Sequence, residues 1–493
     1  MMQYMNWIRR GETWLAVAGG TLAALSMPGF GAGPLVFVAL VPLLGALEQG
    51  RGFLHGYLFG LVFFAIDVRW VLTLVRFNPL VAPGYVLLVA YLALPFGLVG
   101  WLIAQRTGRP VGSTWLVLVP ALVVLAESAR TLGTLGMGFS MLHQALYHVP
   151  WLIQSASVLG SWAITAFVVA INGAIYLTWR TRRLRYALVG AGLLLAQAAF
   201  WLVPVTTGAD EAALAVAAVS SNIDQAVKLD ARNLDELSER FLVLGERAIA
   251  TGPDLVVFPE SFLPAYLLSA DGLFERFADL ARAGNARLLF GTGTYRDGGI
   301  FNTTVLVGAD GRVIDTYDMV RPVPFGEYVP GRRILDAIGL GAWARALLPL
   351  DLSRGVAYDP LDRIGTPICF ESTFPTASRR LTRAGATLLV TVTNDAWFAG
   401  SSELRAHFAT AVFRAVENRR PVVQAANGGI SGFVDARGRI LSETPTETVS
   451  TGTVRLSNAR SSYTTIGDLP LVAAAGCIAV ALLTPRVRRR ARK

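Results

Sequence analysis

The chain of 493 residues is 53% hydrophobic and only 16% charged, with a net charge of +10, a balance that excludes an ordinary soluble protein over its whole length. Its basic residues fall in short runs between apolar stretches (Arg9 and Arg10, Arg106 with Arg109, Arg180 to Arg185, Arg486 to Lys493), a membrane-orientation pattern and not the footprint of a nucleic-acid binder. Two cysteines, Cys369 and Cys477, exclude a disulfide framework, and the four histidines lack metal-ligand spacing, so no metal or cofactor is expected.

Crossing about 30 Å of hydrocarbon takes about 20 helical residues. Seven apolar runs precede residue 205, near 13–30, 34–48, 53–75, 82–105, 112–129, 151–178 and 186–204, the second of them short. The first has the look of a signal peptide, but no A-x-A cleavage signal follows, so a retained helix is expected. Asp67, Arg69, Glu127 and Arg130 fall within or beside these runs, where ionisable groups are costly unless paired or wetted. Two readings stand: ion pairs that fix helix packing, or the lining of a path for lipid.

Residues 206–460 change character. Apolar strands such as "AALAVAAV", "DLVVFPE", "ARLLFGTG" and "ATLLVTVTN" alternate with amphipathic segments such as "NLDELSERFLVLGERAIA", which predicts an α/β domain with a large sheet. An eighth apolar run, 467–484, precedes "PRVRRRARK". The expected organisation is a transmembrane bundle of seven helices over 1–205, a catalytic α/β domain over 206–460, and a last helix with a basic tail over 461–493. The arginine runs place both termini on the cytoplasmic side and the α/β domain outside it.

Within that domain, "GTPICFESTFP" carries Cys369 after a short apolar run. A lone cysteine is usually a small core residue, but an unpaired one in an extracytoplasmic domain is exposed to oxidation, and keeping it points to a used thiolate. "VVFPESFLP" supplies Glu260 at a strand end, where a carboxylate commonly caps or is solvated. In a dry pocket beside a thiol it would become a general base.

In this order the two motifs resemble the nitrilase, or carbon–nitrogen hydrolase, superfamily. "FNTTVLV" at 301–307, "VPFGEYVP" at 323–330, "TNDAWF" at 393–398 and "RAVENRRPVVQAANGGISGFVDARGRI" at 414–440 extend the likeness. With the apolar runs it narrows to the apolipoprotein N-acyltransferase family. The resemblance implies an αββα sandwich on eight transmembrane helices in a bacterial inner membrane. It assigns Glu260 as general base, Cys369 as nucleophile, Glu327 and Glu371 as supporting glutamates, and Asn394 and Trp397 to the pocket. It implies a membrane phospholipid as acyl donor, a Cys thioester intermediate and a diacylated apolipoprotein as acceptor, in a chain acting as a monomer.

The family pattern also implies a catalytic lysine where "TYDMVRPVPFGEYVP" has Met319. Losing an oxyanion-stabilising donor costs about 10²–10³ in rate. Three readings stay open: an inactivated copy of an enzyme, a natural variant of low activity, or rescue by Arg321 two residues on. The two lysines in the sequence, Lys228 and Lys493, offer no evident substitute. Rival functions are a membrane-tethered amidase, a non-catalytic lipid- or lipoprotein-binding protein favoured by Met319, and a transporter, disfavoured because the spans show no internal repeat.

Overall fold

The computed structural model describes residues 2–48, 50–105, 112–204, 212–270, 272–445 and 447–483. Arg106, Arg109 and the tail from Arg486 to Lys493 lie outside them.

Among the described residues, three helices are long and apolar enough to cross a membrane: Gly52–Arg76, Val81–Ala104 and Ser161–Thr181. Glycine makes the first two close neighbours. Gly56 lies against the Phe96 carbonyl and Gly60 against Ala93, approaches that a side chain would block. A 24-residue helix, Met2–Leu25, packs beside them. Shorter apolar helical segments run Gly33–Leu47, Trp115–Ala129, Leu184–Phe200 and Leu469–Val480.

Two expected spans take a different form. The run 34–48 is broken into Gly33–Phe37 and Val41–Leu47. The run 151–178 does not begin as a helix. Short turns occupy Pro150–Leu152 and Ala156–Leu159, Gly160 follows at φ +74°, and the long helix starts at Ser161. A left-handed glycine ends one helical segment and re-aims the chain, which an apolar pattern does not reveal.

The polar residues of the bundle are held mainly by hydrogen bonds and aromatic faces. Glu127 accepts from the Leu142 amide at 2.8 Å and the Thr165 hydroxyl at 2.8 Å. Arg130 donates to the Ser140 carbonyl at 2.8 Å and lies over Phe64. The exposed Arg69 lies over Phe30.

Among the described residues the α/β part contains eleven strands in two sheets. In chain order they are β1 (Ala213–Ser220), β2 (Leu255–Val257), β3 (Arg287–Arg296), β4 (Gly299–Val307), β5 (Val313–Asp318), β6 (Ile364–Gly365), β7 (Leu388–Asn394), β8 (Val422–Asn427), β9 (Ser431–Val434), β10 (Ile440–Thr444) and β11 (Thr448–Arg455). One sheet runs β11-β1-β2-β3-β4-β5 and the other β10-β9-β8-β7-β6. Strand alternation builds the layers. Val216, Ala218, Leu255, Val257, Leu289 and Leu306 share one core with Val390, Val392 and Val423 of the opposite sheet. Their neighbours Ala217, Val219, Val256, Leu288, Phe290 and Val305 share another with Leu237 and Phe241 of helix Leu234–Ile249 and Phe277 of helix Leu273–Gly284. Helices Pro375–Arg383 and Glu403–Asn418 cover the second sheet, completing an αββα sandwich.

The sandwich is seated on the bundle. Arg419 donates to Gln154 at 2.7 Å and Ser157 at 2.8 Å, Glu417 accepts from the Ser161 amide at 3.0 Å, and Arg76 donates to the Ala396 carbonyl at 3.0 Å. Trp70 meets Phe398 edge-to-face.

Candidate active site

The C-terminal ends of parallel strands in the two sheets deliver the polar residues to one place. Past β2, Glu260 is 7% exposed. Its Oε2 accepts from the Asn394 backbone amide at 2.8 Å, at the end of β7 in the opposite sheet, and its Oε1 accepts from the Asn302 side-chain amide at 2.6 Å. The carboxylate is thus aimed by both sheets, and the Cys369 thiol is among the groups that act on its charge.

Cys369 opens the short turn Cys369–Thr373 after β6, with φ +44°. A left-handed non-glycine residue is strained and needs surroundings that fix it. Glu371 provides them. Its carboxylate accepts from Tyr317 hydroxyl at 2.7 Å, from the Val320 and Arg321 amides at 3.0 and 3.1 Å, and from the Ile368 amide at 3.3 Å. One buried carboxylate therefore staples the cysteine turn to the segment after β5.

That segment carries Met319, 1% exposed, whose Sδ is 3.8 Å from the Asn302 amide nitrogen. Asn302 also donates to Glu327 Oε1 at 3.1 Å, while Glu327 Oε2 accepts from the Val323 amide at 2.6 Å. The sequence positions Glu260, Met319, Glu327, Cys369, Glu371 and Asn394 thus converge on one site. Trp397 sits at its rim against Phe77 of the bundle.

Arg321 does not meet the rescue expectation. Its guanidinium donates to the Thr131 carbonyl at 2.6 Å and the Gly133 carbonyl at 3.1 Å and lies over Phe374. The expectation for Lys228 is also corrected. It ends the short helix Gln225–Lys228 after β1, is 4% exposed, and donates from Nζ to the Glu260 carbonyl at 3.0 Å. The sheet order places β1 beside β2, which brings an early residue against the Glu260 turn.

Burial dominates the electrostatics. It pushes the Cys369 thiol well above its usual range, with Glu260 and Asp395 adding to the effect. It also raises Glu260, despite the opposing Asn302 hydrogen bond and the Lys228 charge. Burial and then Glu260 raise Glu327 to about 7. Burial lowers Lys228 to about 8, against the pull of Glu260 and Cys369. At rest Cys369 is therefore a thiol, and any attack by its sulfur would require loss of that proton.

Behind the cysteine, His407 Nδ1 faces Asp395 Oδ1 at 2.9 Å and Nε2 faces the Cys369 carbonyl at 3.1 Å. The Ser372 hydroxyl also lies 3.0 Å from Nε2; Asp395 and the Cys369 carbonyl can only accept and the hydroxyl can accept as well, so both ring nitrogens can carry hydrogen. Asp395, with Glu403 nearby, accordingly raises His407 to about 9 against the effect of burial. Asp395, Glu403 and His407 offer ligand atoms within 4.8 Å of one another, but this geometry holds an imidazolium and leaves no lone pair for a cation. The sequence reading overlooked Asn302, Lys228 and His407. The available signals were one asparagine within "FNTTVLV" and the domain's single lysine, whereas His407 carried none.

A cavity of about 220 Å³ opens next to the cysteine turn, which contributes Phe370 to its lining. Gly133 and Thr134 of the bundle, Arg321, Arg354, Tyr358 and Phe370 are among its lining residues.

The carbon-nitrogen hydrolase family model matches residues 215–463, and that of the apolipoprotein N-acyltransferase N-terminal domain matches 19–174. The apolipoprotein N-acyltransferase of Geobacter metallireducens is 34% identical over 513 residues, covering 97% of this chain and 96% of the relative. That of Gloeobacter violaceus is 31% identical, covering 86% and 84%. Among solved structures, the C. elegans NitFhit protein superposes with TM-score 0.41 at 20% identity, covering 53% of this chain and 65% of its own. A carbon-nitrogen hydrolase from Helicobacter pylori G27 gives TM-score 0.38 at 14% identity, covering 52% and 95%.

Proposed function

The chain belongs to the apolipoprotein N-acyltransferase family, and from that premise we propose that it moves an acyl chain from a membrane phospholipid, through a thioester on Cys369, to the N-terminal amine of a diacylglyceryl-cysteine lipoprotein. The observation that carries this reading is the half-buried Cys369 turned toward a buried Glu260, whose carboxylate both sheets hold at a seam with an apolar bundle.

In the acylation half, Cys369 Sγ attacks the ester carbonyl carbon and Glu260 takes the thiol proton. The tetrahedral intermediate collapses to a thioester, and Glu260 returns the proton to the departing lysophospholipid alkoxide. In the transfer half, the lipoprotein amine attacks the thioester, Glu260 takes the proton the nitrogen sheds, and the cysteine leaves as thiolate and is reprotonated. Glu327, raised to about 7 next to Glu260, keeps a proton in the site over much of the neutral range. The cavity lined by Arg321, Arg354, Tyr358 and Phe370 of the cysteine turn is the place we assign to the donor lipid. In this reading the chain crosses the membrane eight times, with the sandwich over 206–460 on the extracytoplasmic side and both termini in the cytoplasm.

The test is incubation of the full-length protein with a phospholipid carrying a fluorescent acyl chain. Expected is a hydroxylamine-sensitive label on Cys369 that chases onto a synthetic diacylated lipopeptide and is absent in Cys369→Ala. Hydrolysis of small amides without labelling by phospholipid would establish the amidase reading instead.

A further inference from the structure

Catalysis of ester attack gains from a donor aimed at the oxygen that becomes negative, and Met319 offers none. We propose that Lys228 supplies it, so that the ammonium reaches the oxyanion from β1 and not from the end of β5. The assignment rests on the acyl-transfer reading above and names a further catalytic residue for it.

Three observations converge on Lys228. First, the chain has 44 basic residues, Lys plus Arg, of which two are lysines. A compact, titratable ammonium therefore stands where the protein otherwise uses arginine almost exclusively, and the two cations are not interchangeable. Second, the ammonium is buried, yet among the described residues its one hydrogen bond goes to the neutral Glu260 carbonyl at 3.0 Å. An ammonium has three donors, so two N–H groups remain for a ligand. A buried cation not closed by a carboxylate is costly and is retained where it meets charge that appears during reaction. Third, the charges that act on it are those of the reacting pair, Glu260 and Cys369. Of the other nearby cations, Arg321 turns its Nη2 to the bundle carbonyls of Thr131 and Gly133, and His407 faces the Cys369 backbone carbonyl.

The step balances without any added reagent. As the Cys369 sulfur bonds to the ester carbon, the thiol proton passes to Glu260 and the carbonyl π electrons move onto oxygen. An N–H of Lys228 donates to that oxyanion. When the carbonyl re-forms, the carbon–alkoxide bond breaks, the alkoxide takes the proton from Glu260, and Lys228 is left an ammonium throughout.

The experiment compares four full-length proteins, the parent, Lys228→Met, Met319→Lys and the double variant, by the rate of Cys369 labelling with the fluorescent phospholipid. Lys228→Met is expected to slow labelling by about 10²–10³. Adding Met319→Lys should return the rate to within about tenfold of the parent. A rate for Lys228→Met within about threefold of the parent overturns the assignment, as does a parent that stays unlabelled while Met319→Lys is labelled. No label in any of the four overturns the acyl-transfer function itself.

Should Lys228→Met misfold, the pH profile carries the test with Lys228→Arg. The ammonium, held at about 8, faces Glu260 and Cys369, with Asp395 and Glu327 beyond them. Deprotonating the thiol would speed labelling as pH rises, so a fall through about pH 8 reports loss of the ammonium. Expected is that falling limb in the parent and its disappearance in Lys228→Arg. The same limb in both proteins sinks the assignment.

Discussion

Glu371 shows how one side chain both organises the site and makes its stability depend on pH. It has no exposed surface and takes four hydrogen bonds that tie the cysteine turn to the segment holding Met319. Burial outweighs those donors and raises it from 4.5 to about 7. A carboxyl whose folded pKa is raised binds its proton more tightly in the native state, so its contribution is full below about 4.5 and fades as pH rises through about 7. Glu371→Gln keeps the shape, removes the titration, and turns an NH₂ toward N–H donors at every pH. We predict that the parent's advantage in thermal midpoint over Glu371→Gln is largest near pH 5 and shrinks toward pH 8, a swing of up to about 3 kcal/mol. A gap that widens with pH would contradict the assignment. Glu260, Cys369 and Glu371 were legible in the sequence because short motifs hold them. Lys228 was not, because its meaning depends on β1 lying beside β2, and strand order is not written in any local pattern.

At the level of elements, helix Glu403–Asn418 joins the site to the membrane part. His407 in its first half supports the Cys369 carbonyl, and its C-terminal residues meet the bundle. The helix ends at Arg419 in the left-handed region, φ +53°, which points a buried guanidinium at Gln154 and Ser157. Removing one partner of a buried charged network leaves the others unsatisfied, at about 1–3 kcal/mol or more. Arg419→Ala is therefore expected to lower the unfolding midpoint in detergent by several degrees and to leave the pH profile of Cys369 labelling unchanged, since Arg419 does not touch the reacting groups. The turn after β8 is a second constraint. A Cβ on Gly429 would collide with the Asp395 carboxylate, which holds His407, so Gly429→Ala is expected to slow labelling more than it lowers stability. Alternation and amphipathicity announced the strands and outer helices. The apolar content of 151–160 matches the start of a membrane span, while its break from the long helix comes from Gly160.

For the whole molecule, helix lengths set the geometry that the arginine pattern only suggests. Helix Ser161–Thr181 starts with its Ser161 amide on Glu417 of the sandwich and ends beside Arg180, which pairs with Glu48 at 2.9 Å. Twenty-one residues at about 1.5 Å each span about 30 Å, the thickness of the hydrocarbon core. The segment Gly52–Arg76 runs the opposite way, from the Arg51 end to Arg76, which touches the sandwich at Ala396. The two elements agree that the sandwich and the arginine-rich turns occupy opposite ends of one bilayer-thick layer. Because arginine-rich turns are retained in the cytoplasm, the sandwich would face outward. A background of Cys369→Ser and Cys477→Ser removes both native thiols, and single cysteines can then be placed at two exposed sites, Glu236→Cys on the sandwich and Arg183→Cys in the turn. In intact spheroplasts a membrane-impermeant maleimide is expected to label the first and to reach the second only after lysis. The reverse pattern would place the nucleophile on the cytoplasmic face and remove the outer-leaflet donor from the proposed reaction, while labelling of both before lysis would break the opposition between the two ends.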